Sequence, residues 1–276
     1  MFKMPLLCSA ALIASVAAGI AAGAETQESA IPNFMSADFG WQPNTGLDFR
    51  PIEGKVAPVG FDPGTLRGRG TERMSDAENP NLKPWAAAQM RIHNDLVRDG
   101  HRAFSAQSRC WPGGGPAQLL FVAEPIYFIQ TPQEVWIIWQ RDHHVRRVYL
   151  NREHSENPKP TWFGESVGHY ENGELVVDTV GFVEHPYSFV DNYRTPHTKD
   201  LHVVERWKIV DGGSAIEATV TVEDPGAFNA PWSGVARWQK TNRPMIESVC
   251  AENNLNYERF FKLREYPMPE AKTLDF

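Results

Sequence analysis

Glu165, His169 and Asp178 stand in one stretch, TWFGESVGHYENGELVVDTVGF (residues 161–182), among valines and glycines. Carboxylates and an imidazole in apolar surroundings are the raw material of proton transfer, because such surroundings push pKa values apart. A second candidate is Glu205 in HVVERW (202–207), with His202 and Arg206 beside it. A third is the corner Asp142-His143-His144, followed at once by Arg146 and Arg147. A His-His pair can ligate a metal, but no Cys or H-E-x-x-H motif accompanies it, so neither metal nor cofactor is expected. The string Gly164-Glu165-Ser166-Val167-Gly168 matches G-x-S-x-G in letters but lies in a hairpin strand and not at a strand-to-helix elbow, so a nucleophile mechanism has no obvious residue. CWPGGGP (110–116) lacks the Lys-Ser/Thr pair of a phosphate loop and reads as a turn.

The elements that must position these residues are hairpins. Asn172-Gly173 supplies the two positive φ angles of a type I′ turn. Pairing Glu171 with Glu174 sets Tyr170 against Leu175, Gly168 against Val177 and Ser166 against Thr179. The opposite face then holds Glu165, Val167, His169, Val176, Asp178 and Val180. A solvent face accounts for those charges; the interleaved valines also suit a lined pocket. Across Gly212-Gly213, Lys208 pairs with Glu217, Arg206 with Thr219 and His202 with Glu223, an ordinary polar exterior. The other face carries Glu205 alone among Val203, Trp207, Ile209, Ile216, Ala218, Val220 and Val222. A buried carboxylate needs a partner or a raised pKa. A structural Arg–Glu pair would satisfy it, and so would a functional role.

Eight to ten strands joined by short turns follow residue 119: the two hairpins and the runs at 126–140, 145–150, 233–240, 246–253 and 256–263. Almost no helices intervene to make parallel crossovers. The expected fold is all-β, an antiparallel barrel with room for side chains or one small ligand. One helix is expected over 83–100, with Trp85, Ala88, Ile92 and Leu96 on its recurring face. Residues 25–82, rich in Pro, Gly and charge, read as an irregular arm laid over the domain of 83–276.

Residues 1–24 read as an export signal: Lys3, an apolar stretch, then the small-residue exit Ala22-Gly23-Ala24. A periplasmic or secreted protein, free of the membrane after cleavage, is expected. The formal charge of the whole chain is −7. Removing the leader takes Lys3 and no acid, so 26 bases then face 34 acids and the charge becomes −8. That excess disfavours nucleic acid as a partner. Cys110 and Cys250 remain, an even pair that in an exported chain suggests one disulfide across a long loop, with two buried free thiols as the alternative.

The strings RDHHVRRVYLN, SVGHYENGELVVDTVGF, HTKDLHVVERW and VTVEDPGAFNAPW resemble a large family of exported proteins of proteobacteria and acidobacteria, mostly described only as hypothetical. The resemblance covers residues 110–254. It implies a lipocalin-like (calycin-type) barrel, with His143, Arg146, Trp162, Ser166, Gly168, Asp178, His202, Glu205, Arg206 and Asp224 at motif positions. Cys110 and Cys250 also fit. Two departures, Glu165 where His is frequent and His169 where Arg is, bear on substrate choice. The family carries no secure activity.

Together these features predict a barrel that binds a small molecule and acts on it by acid–base chemistry, as a lyase, isomerase or hydrolase. The alternatives are a non-catalytic binder of an apolar or aromatic ligand and a structural envelope protein. Glu205, Asp178 and His143 are the expected catalytic groups. Arg146, Arg206, Glu165, His169, His202, Trp139 and Trp207 are expected to bind substrate. Glu165, His169 and Asp178 should form one wall of a cavity whose mouth Glu205 and Arg206 flank.

Overall fold

The computed structural model of the protein describes residues 31–44, 46, 48–65, 73–101, 110–120 and 124–250. The export signal and the strand expected at 256–263 lie outside them. The strands are β1 (Gly40–Pro43), β2 (Arg50–Pro51), β3 (Ile126–Gln130), β4 (Glu134–Trp139), β5 (Val145–Leu150), β6 (Glu165–Glu171), β7 (Glu174–Val180), β8 (His202–Val210), β9 (Ala215–Glu223) and β10 (Trp232–Thr241). β1 pairs with both β3 and β10, which closes nine strands into a barrel; β2 adds to β10 beside β1. Residues 242–250 continue past β10 without forming the strand expected there.

Two features depart from an antiparallel meander. β5 and β6 run parallel, Val148 facing Ser166 and Leu150 facing Gly168. The irregular segment 151–164 makes the crossover that a helix usually makes. The N-terminal region also does more than cover the domain. Its Trp41, 1% exposed, is part of the core, and β1 is the strand that shuts the barrel.

Both hairpins adopt the expected registers. Glu171 faces Glu174 and Gly168 faces Val177; His202 faces Glu223 and Lys208 faces Glu217. Asn172 and Gly173 have φ of 51° and 77°, as a type I′ turn requires.

The barrel interior is filled by large side chains. Trp207 stacks on Trp238 at 4.9 Å and meets Phe128 edge-on at 5.6 Å. Trp41 and Trp139 join the same buried cluster. Helix α1 (Pro84–Arg98) buries Ala86, Ala87, Met90, Asn94 and Val97. That is a different stripe from the expected one, and Trp85 and Ile92 are 42% and 52% exposed. The indole of Trp85 instead reaches the Gly226 carbonyl at 2.7 Å, so its polar edge sets its place.

Cys110 and Cys250 form a disulfide, with Cα atoms 5.3 Å apart and a separation of 140 positions in sequence. Closing so long a loop contributes on the order of 5 kcal/mol by chain entropy.

Candidate functional site

β6 and β7 present to the interior the face expected to lie outside. Ser166, Leu175, Val177 and Thr179 are buried, while His169 is exposed and Asp178 keeps 39% of its side-chain surface. The glycines explain the inversion. A Cβ on Gly168 would lie 2.6 Å from the Val176 carbonyl oxygen and 2.9 Å from Val148 Cγ1, so the inner face is too close for a side chain. Gly164 and Gly181 flank the hairpin at φ of 66° and 70°, backbone that glycine adopts without strain. The outward valines are still covered: Val167 and Val176 are 8% and 6% exposed. Their apolar character therefore did not mark the inside.

Glu205 and Asp178 consequently share no cavity. Glu205, 1% exposed, lies inside the barrel with Arg146. Arg146 Nη1 donates to both its oxygens, at 2.8 and 3.0 Å. Arg146 Nε donates to Ser166 and Nη2 to Thr179, at 3.0 and 2.7 Å, and Trp207 Nε1 donates to Glu205 Oε2 at 2.9 Å. Each guanidinium nitrogen and each carboxylate oxygen is thus partnered by the barrel's own side chains. Arg206, the next residue along β8, points outward to Glu174 at 2.7 Å and to Glu171, so it does not flank the same mouth as Glu205. His169 faces Glu171 at 3.6 Å. His143 is exposed on the turn between β4 and β5, apart from either carboxylate's hydrogen-bond network. Trp139 stacks on Phe163 and is 1% exposed.

On the outer face three of the predicted residues, Glu165, Asp178 and His202, do come together, around His154, which no sequence pattern marks. Asp178 Oδ1 accepts from His202 Nε2 and from His154 Nε2, both at 3.0 Å. His154 Nδ1 faces Glu165 Oε1 at 3.2 Å. Ser155 donates its backbone N–H to the same oxygen at 2.7 Å and its hydroxyl to Glu165 Oε2. His202 Nδ1 lies 4.0 Å from Glu223. The result is a row of alternating acids and imidazoles, Glu165–His154–Asp178–His202–Glu223, across β6, β7, β8 and β9.

Its electrostatics follow from these contacts. The bond to Asp178 holds the His202 imidazole above its ordinary pKa against the opposing effect of burial. Half-burial works to raise Asp178, but the bonds from His202 and His154 outweigh it and hold the carboxyl below its usual range. The Ser155 hydroxyl, ahead of the other contacts, lowers Glu165. The row can therefore keep a protonated imidazole beside an ionised carboxylate at the solvent boundary, which is a proton donor and its orienting base.

His154 belongs to the 151–164 crossover, not to a strand. A strictly antiparallel reading gives that segment no fixed place over the sheet, which is why alternation could not find it. No family model, curated protein or solved structure matches the chain.

Proposed function

We propose that the chain is an exported acid–base enzyme that acts on a small organic compound at the Asp178–His202–His154 row on the outer face of the barrel. The supporting observation is one carboxylate oxygen held by two imidazole nitrogens at 3.0 Å where 39% of the Asp178 side chain meets solvent. His202 is the proton donor. Asp178 orients it and stabilises its charge, and Glu165 sets the His154 ring. Proton transfer of this kind serves a lyase, an isomerase or a hydrolase alike. The Cys110–Cys250 bridge supports export, since such bonds persist in oxidising compartments. The filling of the barrel interior by Trp41, Trp139, Trp207 and Trp238 favours this surface over an enclosed binding cavity.

The test is untargeted metabolite profiling of an extract incubated with wild type or with His202→Gln. The reading expects at least one compound consumed by wild type and spared by the variant. Identical profiles from two folded proteins would reject it.

A further inference from the structure

A second arrangement lies in the segment that links β7 to β8, buried although it has almost no regular structure. Ser188 and His197 are 2% and 5% exposed. Ser188 Oγ is 2.8 Å from His197 Nε2, and His197 Nδ1 is 2.8 Å from the Thr198 carbonyl oxygen. A carbonyl only accepts, so Nδ1 carries the proton and Nε2 presents its lone pair to the serine hydroxyl. Burial lowers the His197 pKa and keeps the ring neutral, in keeping with that tautomer. Thr198 is fixed in turn. Its N–H and hydroxyl donate to Asp224 at 2.6 and 2.7 Å, and Asp224 also accepts from the Gly226 N–H at 3.0 Å. The chain Asp224–Thr198–His197–Ser188 has the order that activates a serine: nucleophile, base, and a group that orients the base.

Two neighbours give this dyad the surroundings of a reaction centre. The first is the turn Gly113-Gly114-Gly115, whose middle residue has φ of 71°. A Cβ on Gly114 would lie 3.0 Å from Ser188 Oγ, so the hydroxyl is overlain by a residue without a side chain. The second is a cluster of rings. Trp111 lies 5.4 Å from Trp162, 4.7 Å from His185 and 5.2 Å from Tyr187, the residue before Ser188. Trp111 and Trp162 are only partly buried. Such rings favour an aromatic group by stacking and edge contacts.

We propose that Ser188 is the nucleophile of an esterase site for aryl esters, with His197 as its base, separate from the outer-face row. Ser188 Oγ attacks the ester carbonyl carbon and its proton passes to His197 Nε2. The bond from that carbon to the aryl oxygen breaks, and His197 returns the proton to the departing phenoxide. Water then attacks the acyl-serine by the same route, releasing the carboxylic acid and restoring the hydroxyl. Nδ1 keeps its proton throughout, held by Thr198.

The experiment incubates the full chain with a fluorophosphonate and locates the adduct by peptide mass spectrometry; p-nitrophenyl acetate turnover is read in parallel. The expected adduct is on Ser188. Ser188→Ala should lose both adduct and turnover, and Trp111→Ala should slow labelling at least tenfold while leaving the melting temperature of the folded barrel measurable. Asp178→Asn should label as wild type does, which separates this site from the outer row. Absence of the adduct from folded wild type, an adduct on another residue, or unchanged turnover in Ser188→Ala would overturn the proposal.

Discussion

The inside of the barrel and its outer face hold the same kinds of residue and use them in opposite ways. Inside, Arg146 and Glu205 are 5% and 1% exposed and saturate one another with help from Ser166, Thr179 and Trp207. Outside, Asp178 gathers two imidazoles but stays open to water. Burial explains the difference. A charge removed from water must be partnered completely, which leaves nothing for a ligand, whereas a half-exposed group can hold a partner and still exchange protons.

The largest expected effect breaks the inner pair. Glu205→Gln leaves the Arg146 charge buried without its counter-ion and should cost about 3–5 kcal/mol in urea denaturation. Replacing both residues by apolar ones, Arg146→Met with Glu205→Leu, should recover most of that loss. Next comes the inner surface of β6. Gly168→Ala drives a methyl against the Val176 carbonyl and should cost about 1–3 kcal/mol, read in the same way. Asp178→Asn on the outer face should cost under about 1 kcal/mol, since solvent screens the pair. Yet it should lower turnover of whatever substrate profiling reveals by roughly 10²–10⁴-fold.

The smallest effect is a pH dependence of stability that only the outer row should show. The raised pKa of His202 adds stability that is complete below its ordinary value and lost as pH rises through the raised one. The lowered pKa of Asp178 adds stability that is complete above its ordinary value and lost as pH falls through the lowered one. Both contributions are present between 3.8 and 6.5. The stability gap between wild type and His202→Gln should therefore be widest near pH 5 and shrink in alkaline solution. A gap that grows with alkalinity would mean the imidazole is not held protonated by Asp178.

The same contrast shows what was legible in the residues. Asn172-Gly173 and Gly212-Gly213 set the hairpin registers, and alternation then grouped the paired side chains it read in β6 to β9 onto common faces as the structure has them. It placed Glu205 inside, where the structural Arg–Glu reading holds. Alternation did not say which face of β6 and β7 turns inward, because valines occupy both. The deciding signal was Gly168, whose missing side chain marks a close approach on the inner face. His154 was illegible for another reason. It reaches Asp178 only because β5 and β6 are parallel, and no local pattern in residues 151–164 announces a crossover without a helix. Ser188 and His197 lie in a buried segment with no period at all.

The proposed acid–base chemistry rests on the outer row, and the inner pair serves only structure. The most direct measurement compares substrate conversion by Asp178→Asn with that by the repacked Arg146→Met, Glu205→Leu double variant, each shown to be folded by circular dichroism. Asp178→Asn should lose conversion while the repacked barrel keeps it. Conversion retained by Asp178→Asn and lost in the repacked barrel would contradict it.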